Sequence, residues 1–159
     1  MKNLPLSSLL LILFLLACSP AKHLVVWDPP FSGTFDKALF KTSFDIRKIH
    51  LSGYTMIKKT DSAYHIVFSN EIGMTIYDFE LYQKYFKVNY LFEPMNKKAM
   101  VRIFERDFRL LIYGQVMSGQ NFINKAEISF ETGETSWPGR ITITNPGIQL
   151  RMQLRHMNL

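Results

Sequence analysis

The chain has 159 residues, of which 47% are hydrophobic and 20% are charged. These values fit a single globular domain with a core of ordinary size, and they argue against a multidomain enzyme. The aromatic content of 14% argues against disorder and low complexity. The single cysteine, Cys18, excludes an intrachain disulfide and a cysteine-based structural zinc site.

The first seventeen residues have the pattern of a secretory signal. Lys2 supplies a positive start, an apolar run covers residues 9–16, and the small residue Ala17 stands just before Cys18. The apolar stretch is interrupted by Pro5 and is shorter than the roughly 20 residues that cross a bilayer as a helix. We therefore predict that residues 1–17 direct export and do not form a transmembrane helix.

Residues 15–18 (Leu-Leu-Ala-Cys) resemble the lipobox of bacterial lipoproteins, where the signal is cut before a cysteine that becomes lipid-modified. The resemblance implies that Cys18 carries the acyl anchor, and Ser19 after it implies the outer membrane, with the periplasmic face favoured over the cell surface. Residues 18–36 are then a lipidated N-terminus and flexible tether. The alternative is a signal peptide without lipidation. The net charge of +6 is modest, so an anchored, exported chain is not expected to bind nucleic acid.

The remaining residues, 37–159, are predicted to form one β-rich domain. Apolar and polar residues alternate in short runs that are separated by turn signals, which is typical of an antiparallel meander. The turn at residues 145–147 (Asn-Pro-Gly) predicts a type II turn before the last strand. The predicted strands cover residues 38–46, 51–58, 63–69, 74–81, 85–92, 125–131, 140–144 and 148–155.

A different period between Pro94 and Gly114 predicts one amphipathic helix. Apolar residues recur there at spacings of three and four, and basic residues fall between them. Glu105 and Asp107 lie near arginines, which predicts charge pairs on the helix surface. The predicted order is five strands, one helix and three strands.

One predicted hairpin turn carries an unexpected apolar residue. Residues 70–73 (Asn-Glu-Ile-Gly) suit a type I turn followed by a left-handed glycine, and they place Ile72 at the tip, where a polar residue is usual. Met74 follows directly. Insertion of Ile72 into lipid or a partner's pocket would contribute about 1.5–3 kcal/mol, which biases a transient contact but does not anchor a protein. The alternative is that Ile72 folds back onto a neighbouring strand.

The segment Ile66–Leu81 resembles the β-hairpin of LolB, an outer-membrane lipoprotein that receives lipoproteins from a periplasmic carrier. That hairpin has a protruding leucine in an Asn-Pro-Leu-Gly turn. Asn70 and Gly73 match it, Ile72 takes the place of the leucine, and Glu71 replaces the proline. The hairpin and the lipobox therefore agree with the same family.

Two further segments carry the resemblance. Residues 137–154, from Trp137 to Leu154, resemble the closing hairpin of LolB, and Ser52 with Gly53 resembles a Ser-Gly-hydrophobic strand of short LolB-like lipoproteins of Bacteroidetes. The resemblance implies an α+β fold of the LolA/LolB type, in which a curved antiparallel sheet forms a half-open β-barrel with one main covering helix. The face under the helix would be an apolar pocket for acyl chains.

Large apolar side chains share one face of the predicted strands and helix. Apolar walls with few fixed polar groups suit acyl chains, which offer no hydrogen bonds to read. The same residues would equally suit an ordinary filled core, and the sequence leaves these alternatives open. The predicted pocket lining is Phe40, Phe44, Ile46, Ile66, Phe68, Tyr77, Phe79, Leu81, Val88, Tyr90, Phe92, Phe104 and Phe108.

No catalytic or metal-binding pattern stands out. The four histidines are far apart in the sequence, and no pair has the spacing of metal ligands. Asp78 and Glu80 share one strand face, but they project from the side opposite Tyr77 and are predicted to face solvent. Neither a nucleophile elbow nor a phosphate-binding glycine loop is present. The sequence therefore predicts no enzyme, cofactor or metal.

The predicted function is that of a lipid-anchored, LolB-like acceptor or chaperone, which takes acylated lipoproteins and passes them into the outer membrane. A LolA-like periplasmic carrier would deliver the cargo, and Ile72, Gly73 and Met74 would form the membrane-insertion loop. The alternative is a non-catalytic scaffold or interaction lipoprotein of the cell envelope with a filled core.

Overall fold

The computed structural model of the protein describes residues 35–114, 127–131 and 138–158. Within them the chain has an α+β fold, with an antiparallel sheet of eight strands and one α-helix. Cys18, the predicted signal, nearly all of the predicted tether and Trp137 lie outside the described residues. The predictions of a signal, of lipidation at Cys18 and of most of the tether therefore concern residues outside the described part of the chain.

The order of elements is the predicted one: five strands, the helix and three strands. A single turn of 3₁₀ helix at Glu93–Met95 leads into the α-helix, α1, at Lys98–Tyr113. The strands are β1 (Lys37–Ile46), β2 (Ile49–Lys59), β3 (Ala63–Asn70), β4 (Thr75–Tyr82), β5 (Phe86–Leu91), β6 (Glu127–Glu131), β7 (Arg140–Asn145) and β8 (Leu150–Met157).

The strands lie in the order β5-β4-β3-β2-β1-β8-β7-β6. The first five form the predicted meander, and β8 returns to pair with β1, from Ile46 opposite Leu150 to Leu39 opposite Met157. Among the described residues β5 and β6 remain as edges, so the sheet is not closed. Alternating side chains give it an inner face, covered by α1, and an outer face.

Helix α1 begins and ends for local reasons. Lys97 at its N-terminus has an extended backbone, with a φ of −122° and a ψ of 140°, which separates α1 from the preceding 3₁₀ turn. Gly114 at the other end has a φ of 64°, and its N–H donates to the carbonyl of Leu110. A glycine adopts this left-handed conformation at little cost, so the helix ends where the sequence predicts.

The predicted type II turn before β8 is wrong. Pro146–Ile148 forms a 3₁₀ turn, and the left-handed residue is Gln149, with a φ of 54°, rather than Gly147. The carbonyl of Gln149 accepts a hydrogen bond from the N–H of Arg47, which is itself left-handed in the β1–β2 turn. This contact between neighbouring turns accompanies a left-handed conformation two residues later than the local sequence indicates.

Tyr90 is also misplaced by the sequence pattern. It lies on the outer face and is 45% exposed, whereas the pattern predicts an inward position. The register of β4 and β5 shifts between Asp78 and Phe79, because Tyr90 pairs with Asp78 while Val88 pairs with Phe79. The extra residue of this β-bulge exchanges the two faces of β5, so that Leu91 is buried in place of Tyr90.

Candidate membrane-contact hairpin and the helix-covered face

The β3–β4 turn presents Ile72 to solvent. Its side chain is 87% exposed and that of Met74 is 44% exposed. Gly73 has a φ of 83°, as a left-handed glycine after a type I turn requires, and its N–H donates to the carbonyl of Asn70 over 2.9 Å. The alternative that Ile72 folds back onto a strand is therefore wrong in this structure.

Hydrogen bonds at the base of the turn fix its shape. The side-chain carbonyl of Asn70 accepts the N–H of Met74 over 2.8 Å, and the N–H of Asn70 donates to the carbonyl of Met74 over 2.9 Å. An asparagine at this place satisfies the backbone while the tip stays free. Ile72 is thus carried by a closed turn, which lowers the entropy lost when its side chain enters an apolar environment.

Ser52 and Gly53 hold the turn from the neighbouring strand. The Ser52 hydroxyl donates to the carboxylate of Glu71 over 3.1 Å. Gly53 lies opposite Asn70, and a Cβ atom there would be only 2.0 Å from the Ser69 carbonyl oxygen. A glycine is therefore needed for β2 to approach the base of the turn, which is a physical reason for the Ser-Gly pair.

The same end of the sheet carries basic residues. Antiparallel pairing places the β1–β2 and β3–β4 turns at one end, so Arg47 and Lys48 lie at the end that presents Ile72. Both basic side chains are exposed, and Ile49 beside them is 37% exposed. Exposed apolar side chains at an end of the sheet that also carries cations suit contact with a surface of anionic headgroups.

All but one of the predicted pocket residues contribute to the inner face, where they form a packed core and not an open pocket. Ten of the thirteen are buried, Val88 and Phe92 are partly buried against them, and Tyr90 is on the other face. The buried ten are Phe40, Phe44, Ile46, Ile66, Phe68, Tyr77, Phe79, Leu81, Phe104 and Phe108.

Phe104 of α1 fills the middle of this face. Its ring centroid lies 5.4 Å from that of Tyr77, 5.3 Å from that of Phe79 and 5.9 Å from that of Phe44. Tyr77 and Phe79 stack on each other at 4.8 Å. Side chains lining an open cavity would keep accessible surface, whereas these four keep 1% or none. In this conformation the described inner face is a core of touching aromatic rings.

A short chain of hydroxyl groups crosses this core. The Thr42 hydroxyl donates to that of Thr55 over 2.8 Å, and the Tyr77 hydroxyl lies 3.5 Å from Thr55 and 3.7 Å from the sulfur of Met152. Burial raises the pKa of Tyr77 above its ordinary value, although the hydrogen bond with Thr55 acts in the opposite direction. The tyrosine is therefore a neutral packing residue.

The prediction that the charges of α1 pair on its surface is wrong for Arg106, Asp107 and Arg109, all of which are buried. The Arg106 guanidinium donates to Asp107 over 2.7 and 2.9 Å and also to the side-chain carbonyl of Asn145. The Asn145 amide in turn donates to Asp107 over 2.6 Å. Burial raises the pKa of the Asp107 carboxyl, although the charge and hydrogen bonds of Arg106 act in the opposite direction.

Arg109 connects the other side of α1 to the sheet. Its guanidinium donates to Glu105, one helical turn away, over 3.0 Å and to the carbonyls of Tyr82 and Gln83 over 3.0 and 2.9 Å. The β4–β5 and β7–β8 turns thus supply polar partners on both sides of the helix. These contacts join α1 to the sheet by more than apolar packing.

One signal in the sequence could have revealed the buried Asp107. It lies three residues after Phe104 and four before Leu111, which places it within the apolar stripe rather than beside it. A carboxylate on that stripe is buried and must have partners. Asn145, the partner on β7, is 38 residues away, so local patterns could not have identified it.

Asp78 and Glu80 lie on the outer face, as predicted, in a polar network. Asp78 is 2.8 Å from His65 and accepts a hydrogen bond from Asn89. Hydrogen bonds from Tyr82, Asn89 and Lys87 lower the pKa of Glu80 to about 2. These partners account for both carboxylates as structural groups.

Within the described ranges no group of three or more histidine, cysteine or acidic side chains could hold a metal ion. No helix in that part of the chain is both long and apolar enough to cross a membrane. No protein-family model and no curated protein matches the chain. The hairpin and the inner face are therefore the features of the described residues that bear on function.

Proposed function

We propose that the protein is a lipid-anchored, non-enzymatic lipoprotein of the LolB type, which accepts acylated lipoproteins at the outer membrane and passes them into it. The observation that carries the proposal is Ile72, an exposed isoleucine on a hydrogen-bonded turn, with Arg47 and Lys48 at the same end of the sheet. On this proposal Cys18 carries the acyl anchor and the periplasmic face is the site of action. A LolA-like carrier would deliver the cargo.

The packed inner face defines how such a protein would have to work. An acyl chain could enter only if α1 moved away from the sheet, because Phe104 and its neighbours already occupy the space. The residues that resist this movement are Asp107 and Arg109, through their contacts with the β7–β8 and β4–β5 turns. The proposal thus requires an opening of the helix against the sheet.

The second candidate is an interaction or scaffold lipoprotein that uses the same fold as a solid body. The filled inner face favours it, because a scaffold needs no opening of α1. On this alternative Ile72 contacts a partner protein or the membrane without any transfer of cargo. The two candidates share the anchor and the hairpin and differ in whether acyl chains enter the body.

The decisive experiment replaces Ile72 with glutamate in cells that depend on this protein. We expect lipoproteins to accumulate outside the outer membrane, because a charged tip cannot enter lipid, while Ile72→Leu retains delivery. Tyr85→Glu is the matched control, since Tyr85 is 54% exposed at the opposite end of the sheet. Membrane fractionation measures delivery. Unchanged delivery with Ile72→Glu would contradict the proposal.

Two further measurements separate anchor and cargo. Mass spectrometry of the mature protein should find acyl chains on Cys18, and their absence would contradict the lipid-anchored class altogether. Photo-crosslinking with an acylated peptide should label the inner face at Phe104 or Tyr77 if acyl chains enter the body. Labelling confined to the Ile72 turn would favour the scaffold.

A further inference from the structure

Three basic side chains lie next to one another on the outer face of the sheet. Lys41 on β1 is directly opposite Arg155 on β8, and Arg155 is directly opposite Arg140 on β7. Opposed residues on neighbouring antiparallel strands have Cα atoms about 4.5–5.5 Å apart, so like charges there destabilise the sheet. The row therefore concentrates positive charge at the centre of the outer face.

Acidic side chains neutralise only part of this charge. Arg140 donates to Glu131 over 3.0 Å. Within the described ranges no carboxylate lies within ion-pair distance of Lys41 or Arg155. Among the described residues, these two adjacent cations have no acidic partner.

The three cations border a groove with a volume of about 190 Å³. Ser43 and Gln153, which are opposite each other on β1 and β8 two residues along from Lys41 and Arg155, also line it and bring a hydroxyl and an amide group. Ser52 lines the end nearest the hairpin, where its hydroxyl is already donated to Glu71. A water molecule takes about 30 Å³ in the liquid, so the groove has room for a larger polar group.

A second pair of basic residues lies on the outer face but outside the groove. Lys37 and Lys58 are also directly opposite each other, on β1 and β2, but they do not line this groove. They place two like charges side by side on the outer face but outside the groove. This pair is a natural control for charge without a shaped site.

We propose that the groove binds a phosphate group, supplied either by a lipid headgroup or by a soluble phosphate. Arginine presents a planar fork of N–H donors that matches two phosphate oxygens, and lysine adds a point charge. Arg140, Arg155 and Lys41 come from three adjacent strands, and Ser43 and Gln153 line the same groove beside them. A tetrahedral anion accepts hydrogen bonds from several directions at once, as this arrangement offers. The site uses neither Ile72 nor the inner face, so it stands apart from the proposed transfer function.

The test uses the full chain in uncharged detergent micelles at constant ionic strength. The side-chain Nε–H resonances of Arg140 and Arg155 are followed by NMR during separate titrations with inorganic phosphate and with phosphatidylglycerol. We expect saturable shifts of both resonances and none for Arg102, an exposed arginine of α1. The double variant Lys41→Gln/Arg155→Gln should weaken binding about tenfold or more, and Arg140 reports it.

The two titrations distinguish a lipid headgroup from soluble phosphate, and they can also overturn the proposal. A response to phosphatidylglycerol alone identifies a lipid headgroup site, and a response to inorganic phosphate, with or without the lipid, identifies recognition of phosphate itself. Absence of a saturable shift in both titrations overturns the proposal. An equal loss of affinity in Lys37→Gln/Lys58→Gln also overturns it, because the attraction would then be diffuse charge and not a site.

Discussion

The hairpin tip and the underside of α1 reverse the usual distribution of side chains. At the tip, isoleucine is exposed where a polar residue is usual, and under the helix an arginine and an aspartate are buried where apolar residues are usual. Hydrogen bonds maintain both departures. At the tip they close the backbone and leave Ile72 without packing, whereas under α1 they satisfy the Arg106 and Asp107 side chains themselves.

This difference assigns function to the hairpin tip and stability to the network under α1. The free energy of unfolding depends little on a side chain that contacts no neighbour, so the tip can be adapted for contact with a membrane or partner. A buried charged group is costly to leave without its partner, so the Asp107 network fixes the position of the helix. Substitutions in the two regions should therefore have opposite effects on stability and on function.

The largest effect is expected from Phe104→Ala, at the centre of the inner face. Removing this ring should lower the free energy of unfolding by about 4 kcal/mol, because it leaves a cavity among Phe44, Tyr77 and Phe79. Urea unfolding measures the change, and Lys98→Ala on the exposed side of α1 is the control. A loss below about 1 kcal/mol would mean that the face is not filled.

Asp107→Ala should come next, with a loss of about 3 kcal/mol, because it leaves the Arg106 guanidinium buried without its carboxylate. The double variant Arg106→Met/Asp107→Leu should recover most of this loss, since neither charge of this pair remains. The exposed pair of Arg140 and Glu131 gives the contrast, where Glu131→Ala should cost under about 1 kcal/mol. A double variant as unstable as Asp107→Ala would contradict this account.

Local patterns were sufficient for much of the fold. The alternation along β8 and the three- and four-residue spacing around Phe104 identified these elements, and Gly114 marked the helix end. The turn at Ile72 was also predictable, because the side chain of Asn70 and the conformation of Gly73 act within four residues.

What the sequence did not reveal depends on contacts between distant segments. Tyr90 was assigned to the wrong face because a bulge is a property of strand pairing and not of one strand. Gln149 adopts a left-handed conformation next to the Arg47 N–H, a contact across 102 residues. The inner face could not be assigned as core or pocket, since the same apolar residues serve both and only the position of α1 decides.

Gly53→Ala tests how the tip depends on the strand beside it. The new methyl group would collide with the Ser69 carbonyl, so we expect a loss of about 1–3 kcal/mol. Backbone amide shifts of residues 70–74 should change as well. Ser52→Ala is the milder control, because it removes one exposed hydrogen bond to Glu71 and should cost under about 1 kcal/mol. Equal effects of the two variants would contradict a role for close backbone approach.

The carboxylate of Glu80, on the outer face, should make the free energy of unfolding depend on pH. Its pKa is lowered to about 2 in the folded protein, so it stabilises the fold above its ordinary pKa of 4.5 and loses that contribution as the pH falls towards 2. Because the group is partly exposed, the effect should be under about 1 kcal/mol. Urea unfolding between pH 5 and about pH 2 measures it. Glu80→Gln should lose this dependence and Glu127→Gln should keep it.

The smallest effect on stability is expected where the effect on function is greatest. Ile72→Glu should change the free energy of unfolding by no more than about 0.5 kcal/mol, because an 87% exposed side chain loses almost no packing. The same substitution should remove about 1.5–3 kcal/mol of apolar contact with lipid, a loss of roughly tenfold to a hundredfold in membrane or partner affinity. The free energy of unfolding and the affinity for lipid vesicles should be measured on the same preparation of the variant. A variant that unfolds easily would show that Ile72 belongs to the core, whereas one that folds and binds unchanged would show that the tip is only an exposed turn.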